Sequence, residues 1–298
     1  MKRKRLTLTQ QRSLTGYLFT LPFIIGFILF FLAPFVQSVV FSLNHLRIVT
    51  GGYELIYNNW ENYKHALFVD TNFLPTFTQT LLNMLLDVPA IVFFSFFAAL
   101  LLNQKFKGRL LARSIFFLPV ILSSGVIAGL EASDYMANMM RETANVATSF
   151  LSGPALTEFL MQMKIPRELL MYVVNVVDRI PEIIRASGIQ ILIFLAGLQS
   201  ISPSLYEAAR VEGASGWQTF WLITIPVLSP TILANVVYSI IDSFLAPTND
   251  LVNYIRSTAF GGAGFGIGTA MGVMYFAAVA VILAIVVGII SRYVVYQD

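Results

Sequence analysis

The sequence predicts an all-α, polytopic membrane protein with six transmembrane helices. Of its 298 residues, 57% are hydrophobic and only 12% are charged, and the mean hydropathy is +0.74. Soluble domains are about half apolar and about a quarter charged, so this chain has too few polar residues to cover a water-facing surface. Long stretches almost free of charge recur along the chain, which is the pattern of membrane-spanning helices.

A helix needs about 20 apolar residues to cross the roughly 30 Å of bilayer hydrocarbon. The six predicted spans lie near 15–42, 76–103, 114–130, 186–200, 222–246 and 268–291. The first could instead be a secretory signal peptide, because basic residues precede it. Its apolar run is too long for a signal peptide and no small-x-small cleavage site follows, so we expect a retained helix.

The distribution of basic residues indicates the orientation. Five occur in the N-terminal tail and four in the loop after the second span: Lys2, Arg3, Lys4, Arg5, Arg12, Lys105, Lys107, Arg109 and Arg113. Cytoplasmic segments collect Lys and Arg, so both segments are expected inside. Segment 131–182 carries seven acids against four bases and is expected outside. We therefore expect a cell-membrane protein with cytoplasmic N- and C-termini.

These assignments divide the chain into a basic cytoplasmic tail, 1–14, and a transmembrane domain, 15–298. Within that domain, 131–182 is interpreted as an outer helical insertion. Segment 201–226 is predicted to be a cytoplasmic loop between the fourth and fifth spans. The outer loop at 44–75 is rich in aromatic and polar residues, which suit the membrane–water boundary.

Missing residues exclude several classes of chemistry. The chain has no cysteine, and its two histidines, His45 and His65, both lie in the first outer loop, so thiolate metal sites and an H-E-x-x-H zinc site are excluded. No glycine is followed by lysine, which excludes a nucleotide-binding phosphate loop. The basic excess is only +3 and lies near span ends, so no nucleic-acid partner is expected. We therefore expect no enzyme activity, no metal and no cofactor. The glycine-rich segment 264–268 is interpreted as a flexible segment before the last span.

The cytoplasmic loop contains the most informative pattern of the chain. Ser202 is a suitable N-cap with Pro203 at the first helical position, and Gly213 supplies a helix stop. Ser215 can cap a second helix that continues into the fifth span. The small residues Ala208 and Ala209 lie beside Glu207 and would let another body approach the helix closely, so the helix is suited to dock into a partner's groove.

This loop resembles the EAA loop of the membrane subunits of ATP-binding-cassette importers. That loop has Glu-Ala-Ala, three residues, Gly, nine residues and Ile-x-Leu-Pro. The chain matches every spacing with Glu207-Ala208-Ala209, Gly213 and Ile223-Thr224-Ile225-Pro226, and departs only in Ile225. The segments YLFTLPFIIGFILFFLAPFVQSVVFSL and KGRLLARSIFFLPVILSSGV are similar to carbohydrate-type permeases, whereas the long segment 131–182 departs from their commoner short connection.

The resemblance implies the fold of a type I ABC importer permease and the mechanism of that family. The loop helix would be a coupling helix seated on a separate subunit that hydrolyses ATP, and this chain would be non-catalytic. The residues implied in that contact are Tyr206, Glu207, Ala208, Ala209, Glu212, Gly213 and Pro226. The implied partners are ATP-binding-cassette ATPase subunits, a second permease subunit in a heterodimer, an extracytoplasmic solute-binding protein, membrane lipid and a carbohydrate, with an oligosaccharide expected.

Polar residues inside the predicted spans are candidates for the substrate path, because polar groups in a membrane face a cavity or one another. Asn235, Tyr238 and Asp242 recur at helical spacing and share one face, as do Asn83 and Asp87. A further candidate is Tyr275. The same residues could instead form polar contacts between helices, or place a carboxylate where water reaches it.

The alternative function is a stand-alone secondary transporter or channel for a small polar solute. Such proteins show broken helices, inverted repeats or a buried ion-coupling network. The sequence contains no such pairing, which favours the importer subunit.

Overall fold

Long apolar helices dominate the computed structural model, which describes residues 8–49, 52–104, 106–108, 111, 113–114, 179–180, 182–246, 248–261 and 264–294. In chain order the elements are α1 (Leu8–Phe27), α2 (Ala33–Ser42), β1 (Asn44–Val49), β2 (Gly52–Tyr57), α3 (Glu61–Lys64), α4 (Phe73–Asn103), α5 (Gly188–Ser200), α6 (Pro203–Val211), α7 (Gly216–Thr219), α8 (Ile225–Leu245), α9 (Asp250–Phe260) and α10 (Phe265–Ile290). Wide π-helical turns occupy Ile28–Leu32, His65–Val69 and Phe220–Thr224, and a 3-10 turn, Ser291–Tyr293, follows α10.

Among the described residues, four apolar helical stretches are long enough to cross a membrane, and they match the first, second, fifth and sixth predicted spans. Their bounds are Thr15–Ser42, Phe73–Asn103, Gly216–Phe260 and Phe265–Tyr293. A fifth candidate, corresponding to the fourth predicted span, is α5 together with α6, which bend by 59° at their junction. The third predicted span at 114–130, most of the insertion at 131–182 and the start of the basic tail lie outside the described residues. Several apolar spans are therefore confirmed, and the count of six stays a prediction.

The chain forms two compact units. The first contains residues 1–81 and 245–281, and the second contains 82–244 and 282–298. In the second unit, small and aliphatic side chains of α4, α5 and α8 pack tightly, and in a membrane such packing replaces the hydrophobic driving force that acts in water. The buried core residues are Ala98, Ala99, Leu102, Ile191, Phe194, Leu195, Leu198, Ile201 and Leu228.

Gly197 marks the closest approach of α5 to α8 in the second unit. A Cβ atom built on Gly197 would lie 2.9 Å from the Cγ2 and Oγ1 atoms of Thr231 and 3.0 Å from the Cδ2 atom of Leu228. Glycine is therefore required here by space rather than by backbone conformation.

The π-helical turn Phe220–Thr224 accommodates a proline within a continuous span. Pro226 has no N–H to donate to the carbonyl four residues earlier, so it cannot continue a regular α-helical ladder. The turn widens instead, and the N–H of Ile225 donates to the carbonyl oxygen of Phe220, five residues back. A second π-helical turn precedes Pro34 in the same way.

A two-stranded antiparallel hairpin, β1 and β2, corrects the all-α prediction for the first outer loop. Its register pairs Leu46 with Leu55 on one face. Arg47 pairs with Glu54 on the other face, so the strands alternate between apolar and polar sides. Two residues, 50–51, connect the strands, and short connections containing glycine favour hairpins. The expectation for this loop rested on its aromatic and polar composition and overlooked the alternation.

Glycines at the start of α10 pack against neighbours in the first unit, which corrects the interpretation of 264–268 as a flexible segment. A Cβ on Gly268 would lie 2.5 Å from the Cβ atom of Ala259 in α9. A Cβ on Gly266 would lie 2.8 Å from the Nδ2 atom of Asn62. These glycines allow close helix packing, and both belong to a regular helix.

Asp70 fixes the start of α4. Its Oδ1 atom accepts hydrogen bonds from the backbone N–H groups of Asn72 and Phe73 at 2.9 and 3.0 Å, and the Tyr254 hydroxyl donates to both carboxylate oxygens at 2.8 Å. Burial raises the pKa of Asp70, but the hydrogen bonds outweigh burial and hold the pKa below its ordinary value. The ionised cap therefore stabilises the fold above about pH 4, and this contribution is lost as the pH falls through the lowered pKa.

Gly197→Val is expected to destabilise the protein by about 1–3 kcal/mol, because the new side chain forces α5 and α8 apart. The measurement is the thermal unfolding midpoint in detergent. Gly288→Val is the matched control, since Gly288 also lies within a helix but has no heavy atom within 4 Å of its built Cβ. Equal shifts for the two variants would contradict the close approach of α5 and α8.

Candidate coupling helix and substrate-path residues

The helix α6 begins where the sequence predicts. Ser202 has an extended backbone and precedes Pro203 at the first helical position, where the missing N–H has no partner to lose. The Ser202 side chain does not cap the helix; its hydroxyl bonds the hydroxyl of Ser204 at 2.7 Å. The position of the helix start is thus confirmed, and the proline with the extended residue before it sets the boundary.

Gly213 ends α6 through its backbone conformation. Its φ is +78°, a left-handed value that costs other residues about 1–2 kcal/mol. The N–H of Gly213 donates to the carbonyl of Arg210 at 3.1 Å, and the N–H of Ala214 donates to the carbonyl of Ala209 at 2.9 Å. This pair of bonds is the Schellman arrangement, which satisfies carbonyls that the helix end would leave free. No heavy atom lies within 4 Å of a Cβ built on Gly213, so the requirement is conformational.

Ser215 begins the next helix with a complete capping box, as its position predicts. The N–H of Gln218 donates to the Ser215 Oγ atom at 3.3 Å, and the N–H of Ser215 donates to the Gln218 Oε1 atom at 2.8 Å. Only Ala214 separates the Schellman glycine from this cap. The connection between α6 and the next span is therefore short and fixed at both ends.

The inward side of α6 packs on the second unit. Tyr206 is half-buried against its core, and the Tyr206 and Thr224 hydroxyls form a hydrogen bond of 3.1 Å. Ala209 is only 8% exposed. This burial corrects the expectation that Ala208 and Ala209 are both exposed to a partner. Successive helical residues point in different directions, and only Ala208 faces outward.

The outward face of α6 combines small, acidic and apolar side chains. It includes Glu207, Ala208 and Val211, with Glu212 at the C-cap, and Ser204, Leu205 and Arg210 are exposed as well. Val211 is 89% exposed, an unusual position for an aliphatic side chain on a helix whose other side is packed. A surface of this kind fits a complementary groove better than bulk water.

Asn83 and Asp87 share one face of α4, as their spacing predicts, and both bind Arg179. The Nη1 atom of Arg179 donates to the Oδ1 atom of Asp87 at 2.7 Å in a salt bridge, and Nη2 donates to the Oδ1 atom of Asn83 at 2.6 Å. The sequence analysis counted Arg179 only as part of the charge of the insertion. Its partner is 92 positions away, so no local spacing could have revealed the contact.

Asn235 in α8 makes a contact between helices. It is fully buried, and its Nδ2 atom donates to the backbone carbonyl of Gln190 in α5 at 3.3 Å. The side-chain amide of Gln190 in turn donates to the hydroxyl of Ser239 at 3.3 Å. These bonds match the alternative that polar residues join the helices.

Tyr238 and Asp242, one helical turn apart on α8, are half-buried. Arg185 lies close enough to Asp242 for their charges to interact, and Asp242 likewise acts on Tyr238. Acidic, basic and phenolic groups are thus brought together at this end of α8. Such a set can donate and accept hydrogen bonds from hydroxyl-rich solutes.

Tyr275 belongs to the first unit, unlike the other candidates. It is 2% exposed, and its hydroxyl accepts a hydrogen bond from the Nδ2 atom of Asn249 at 2.8 Å. The Oδ1 atom of Asn249 caps α9 by accepting from the N–H groups of Leu251 and Val252. Tyr275 therefore holds a helix cap in place in this structure.

A cavity of about 420 Å³ lies among α4, α5, α8 and α10 within the second unit. All its lining side chains are apolar, among them Met84, Phe93, Phe194, Ile232 and Val286. A carbohydrate would leave its hydroxyls without partners there, which costs about 1–3 kcal/mol for each group. The polar residues above, and not this cavity, are therefore the candidates for a sugar route.

Residues 180–297 match the family of binding-protein-dependent transport system inner membrane components. The probable ABC transporter permease protein YesP of Bacillus subtilis is 30% identical over 257 residues, covering 84% of this chain and 75% of YesP. The arabinooligosaccharides transport system permease protein AraP of the same organism is 30% identical over 297 residues, covering 92% and 86% of the two chains. The chain belongs to this family: it is a permease component of a binding-protein-dependent ABC transport system.

Solved structures agree with the fold. A chain of a bacterial ABC transporter involved in the import of the acidic polysaccharide alginate has a TM-score of 0.60 at 23% identity, covering 95% of this chain and 96% of that one. Among the sequence relatives, the trehalose/maltose transport system permease protein MalF of Thermococcus litoralis is 28% identical over 229 residues, which cover 76% of this chain and 72% of MalF. The predicted type I importer fold is confirmed.

Family membership confirms the main functional prediction. The relatives are permease proteins, so this chain is a non-catalytic, multi-pass membrane component. It also decides against the stand-alone secondary transporter or channel, because the family works with a binding protein.

The salt bridge of Arg179 and Asp87 is expected to couple the two side chains by about 1 kcal/mol, a modest value because both are partly exposed. A double-mutant cycle with Asp87→Asn and Arg179→Gln, followed by unfolding midpoints in detergent, measures it. Asp87→Asn combined with Arg292→Gln is the control and is expected to be additive. Additivity in both cycles would mean that the ion pair does not exist in solution.

Proposed function

We propose that this chain is the carbohydrate-specific permease subunit of an importer, paired with a second, different permease and driven by separate ATPase subunits. The names of relatives support the substrate class: arabinooligosaccharides for AraP, lactose for LacF of Rhizobium radiobacter, and trehalose or maltose for MalF. One related structure contains a periplasmic protein with a bound alginate pentasaccharide, which supports an extracytoplasmic solute-binding protein as partner.

The two-sided construction of α6 carries the proposal. Its inward side is packed on the second unit through Tyr206 and Ala209, while its outward face is exposed. Pro203 and Gly213 fix its two ends. A force applied to the outward face therefore moves the packed helices with it. Glu207 meets a basic residue of the ATPase subunit, and Pro226 continues the connection into α8.

The orientation follows from this docking. ATPase subunits meet ATP in the cytoplasm, so the loop 201–226 is cytoplasmic, and the N- and C-termini lie on the same side. The tail 1–14 is then a cytoplasmic extension whose basic charge agrees with the positive-inside rule. The insertion 131–182 lies outside, where it contacts the partner permease or the binding protein.

The sugar route includes the polar faces of α4 and α8. Asn83, Asp87, Tyr238 and Asp242 offer carboxylates, an amide and a phenol that suit hydroxyl groups. The phenol ring of Tyr238 also supplies an apolar face for the carbon side of a sugar ring. Asn235, as a buried contact between α8 and α5, positions this route from within the packing. Tyr275 stays a candidate residue of the path, and its contact within the first unit is with a helix cap.

Glu207→Lys is expected to reduce co-purification of the ATPase subunit at least about tenfold, because it places a positive charge against a basic partner. Pull-down of the ATPase with the tagged permease from membranes measures the effect, and the permease level in the membrane is recorded beside it. Glu54→Lys, which reverses an exposed carboxylate on the hairpin, is the matched control and should leave capture unchanged. Normal capture by the Glu207 variant would show that the outward face is not the docking site.

Asp242→Asn is expected to lower sugar uptake about fivefold or more while ATPase capture stays normal, because a hydrogen-bond acceptor for hydroxyls is lost. Uptake is measured in proteoliposomes with the assembled importer and an oligosaccharide that its binding protein retains. Asp250→Asn removes an exposed acid from α9 and serves as the control. Unchanged uptake by the Asp242 variant would remove this residue from the sugar route.

A further inference from the structure

A groove in the first unit is bounded by α2, α9 and α10 and has a volume of about 400 Å³. Its walls are largely apolar, with Phe35 on α2, Ile255 on α9, and Val273 and Phe276 on α10. Gly272 lines its floor, and a Cβ built there would meet only the Cγ2 atom of Ile255, at 3.9 Å. The groove is therefore open above this glycine, unlike the tight helix contact at Gly268.

One charged side chain, Arg256, lines the groove. Arg256 lies on the exposed side of α9 and makes no ion pair or hydrogen bond with any described part of the chain. The two hydroxyl side chains of the lining, Ser38 and Thr269, already donate to backbone carbonyls of their own helices. The guanidinium is thus the one uncommitted donor among the described lining residues.

The groove lies near the ends of two candidate spans. Its lining includes Phe35 and Ser38, close to the end of Thr15–Ser42, and residues 265–276, at the start of Phe265–Tyr293. Span ends meet the membrane surface, so the groove is expected at a membrane boundary. The amphipathic helix α9 lies there as well, with Asp250, Asn253 and Ser257 on its exposed side and Leu251 and Thr258 buried. The buried side of α9 packs on the protein and its exposed side is polar, so α9 suits the water-facing edge of the groove.

We propose that this groove binds an anionic phospholipid, with the phosphate on Arg256 and an acyl chain along the apolar walls. An unpaired guanidinium at a membrane boundary is stabilised by an anion, and apolar walls are stabilised by hydrocarbon. A phospholipid supplies both in one molecule. A transmembrane helix of another protein fits less well. One turn of such a helix, roughly 10 Å wide and 5.4 Å high, would already fill the volume of the groove. An apolar helix would also bring no anion to pair with Arg256.

Native mass spectrometry of the complete importer containing this chain tests the proposal. The importer is exchanged into detergent with equal amounts of phosphatidylglycerol and phosphatidylcholine that carry identical acyl chains. We expect phosphatidylglycerol to be retained preferentially. Arg256→Gln should reduce that preference about fivefold, which is the contribution of one basic residue near a membrane surface. Arg256→Lys should keep most of it.

Two further variants make the result decisive. Arg292→Gln removes another exposed cation and should leave the preference unchanged, whereas Gly272→Leu fills the groove and should reduce retention of both lipids. Arg256 is exposed, so its substitution should leave folding intact even if the glycine variant does not fold. Equal retention of the two lipids, equal effects of the two arginine variants, or a groove that retains no lipid in the complete importer would each overturn the proposal.

Discussion

The packing of α6 on the core of the second unit is the contact on which the functional argument depends. Tyr206 packs against the core of the second unit and bonds Thr224, Ala209 is buried, and Gly213 in its left-handed conformation turns the chain at once into the next capped helix. With a looser attachment, a partner pushing on the outward face would bend the loop and leave the spans in place. In the proposed coupling role, the fixed ends of this short connection would allow a helix of nine residues to transmit motion.

The features that the sequence predicted well are those encoded by neighbouring residues. Pro203, Gly213 and Ser215 set the helix boundaries, because a missing N–H, a positive φ and a side-chain cap act within one turn. The apolar spans follow from length and composition in the same way. The hairpin was missed because two alternating strands of six residues give a weaker signal than the aromatic composition around them.

Contacts between distant parts of the chain could not be predicted from one sequence. Asn83 and Asp87 were placed correctly on one face of α4, but their partner Arg179 is fixed by the tertiary fold and not by any spacing. The burial of Ala209 likewise depends on which side of α6 meets the core. In both cases helical periodicity gave the residues that lie together, and only packing decided what they face.

Close helix packing in the membrane explains why glycines and buried amides occur at the helix contacts within each unit. Gly197 lets α5 approach α8, and Gly268 lets α10 approach α9, since hydrocarbon surroundings provide no hydrophobic force to press helices together. Asn235 adds a bond between α8 and α5 whose alternative, an unpaired amide in an apolar interior, would be costly. Each unit is therefore held by short-range contacts, and under the proposed coupling role such contacts would let motion imposed on α6 shift the helices of the second unit together rather than deform them.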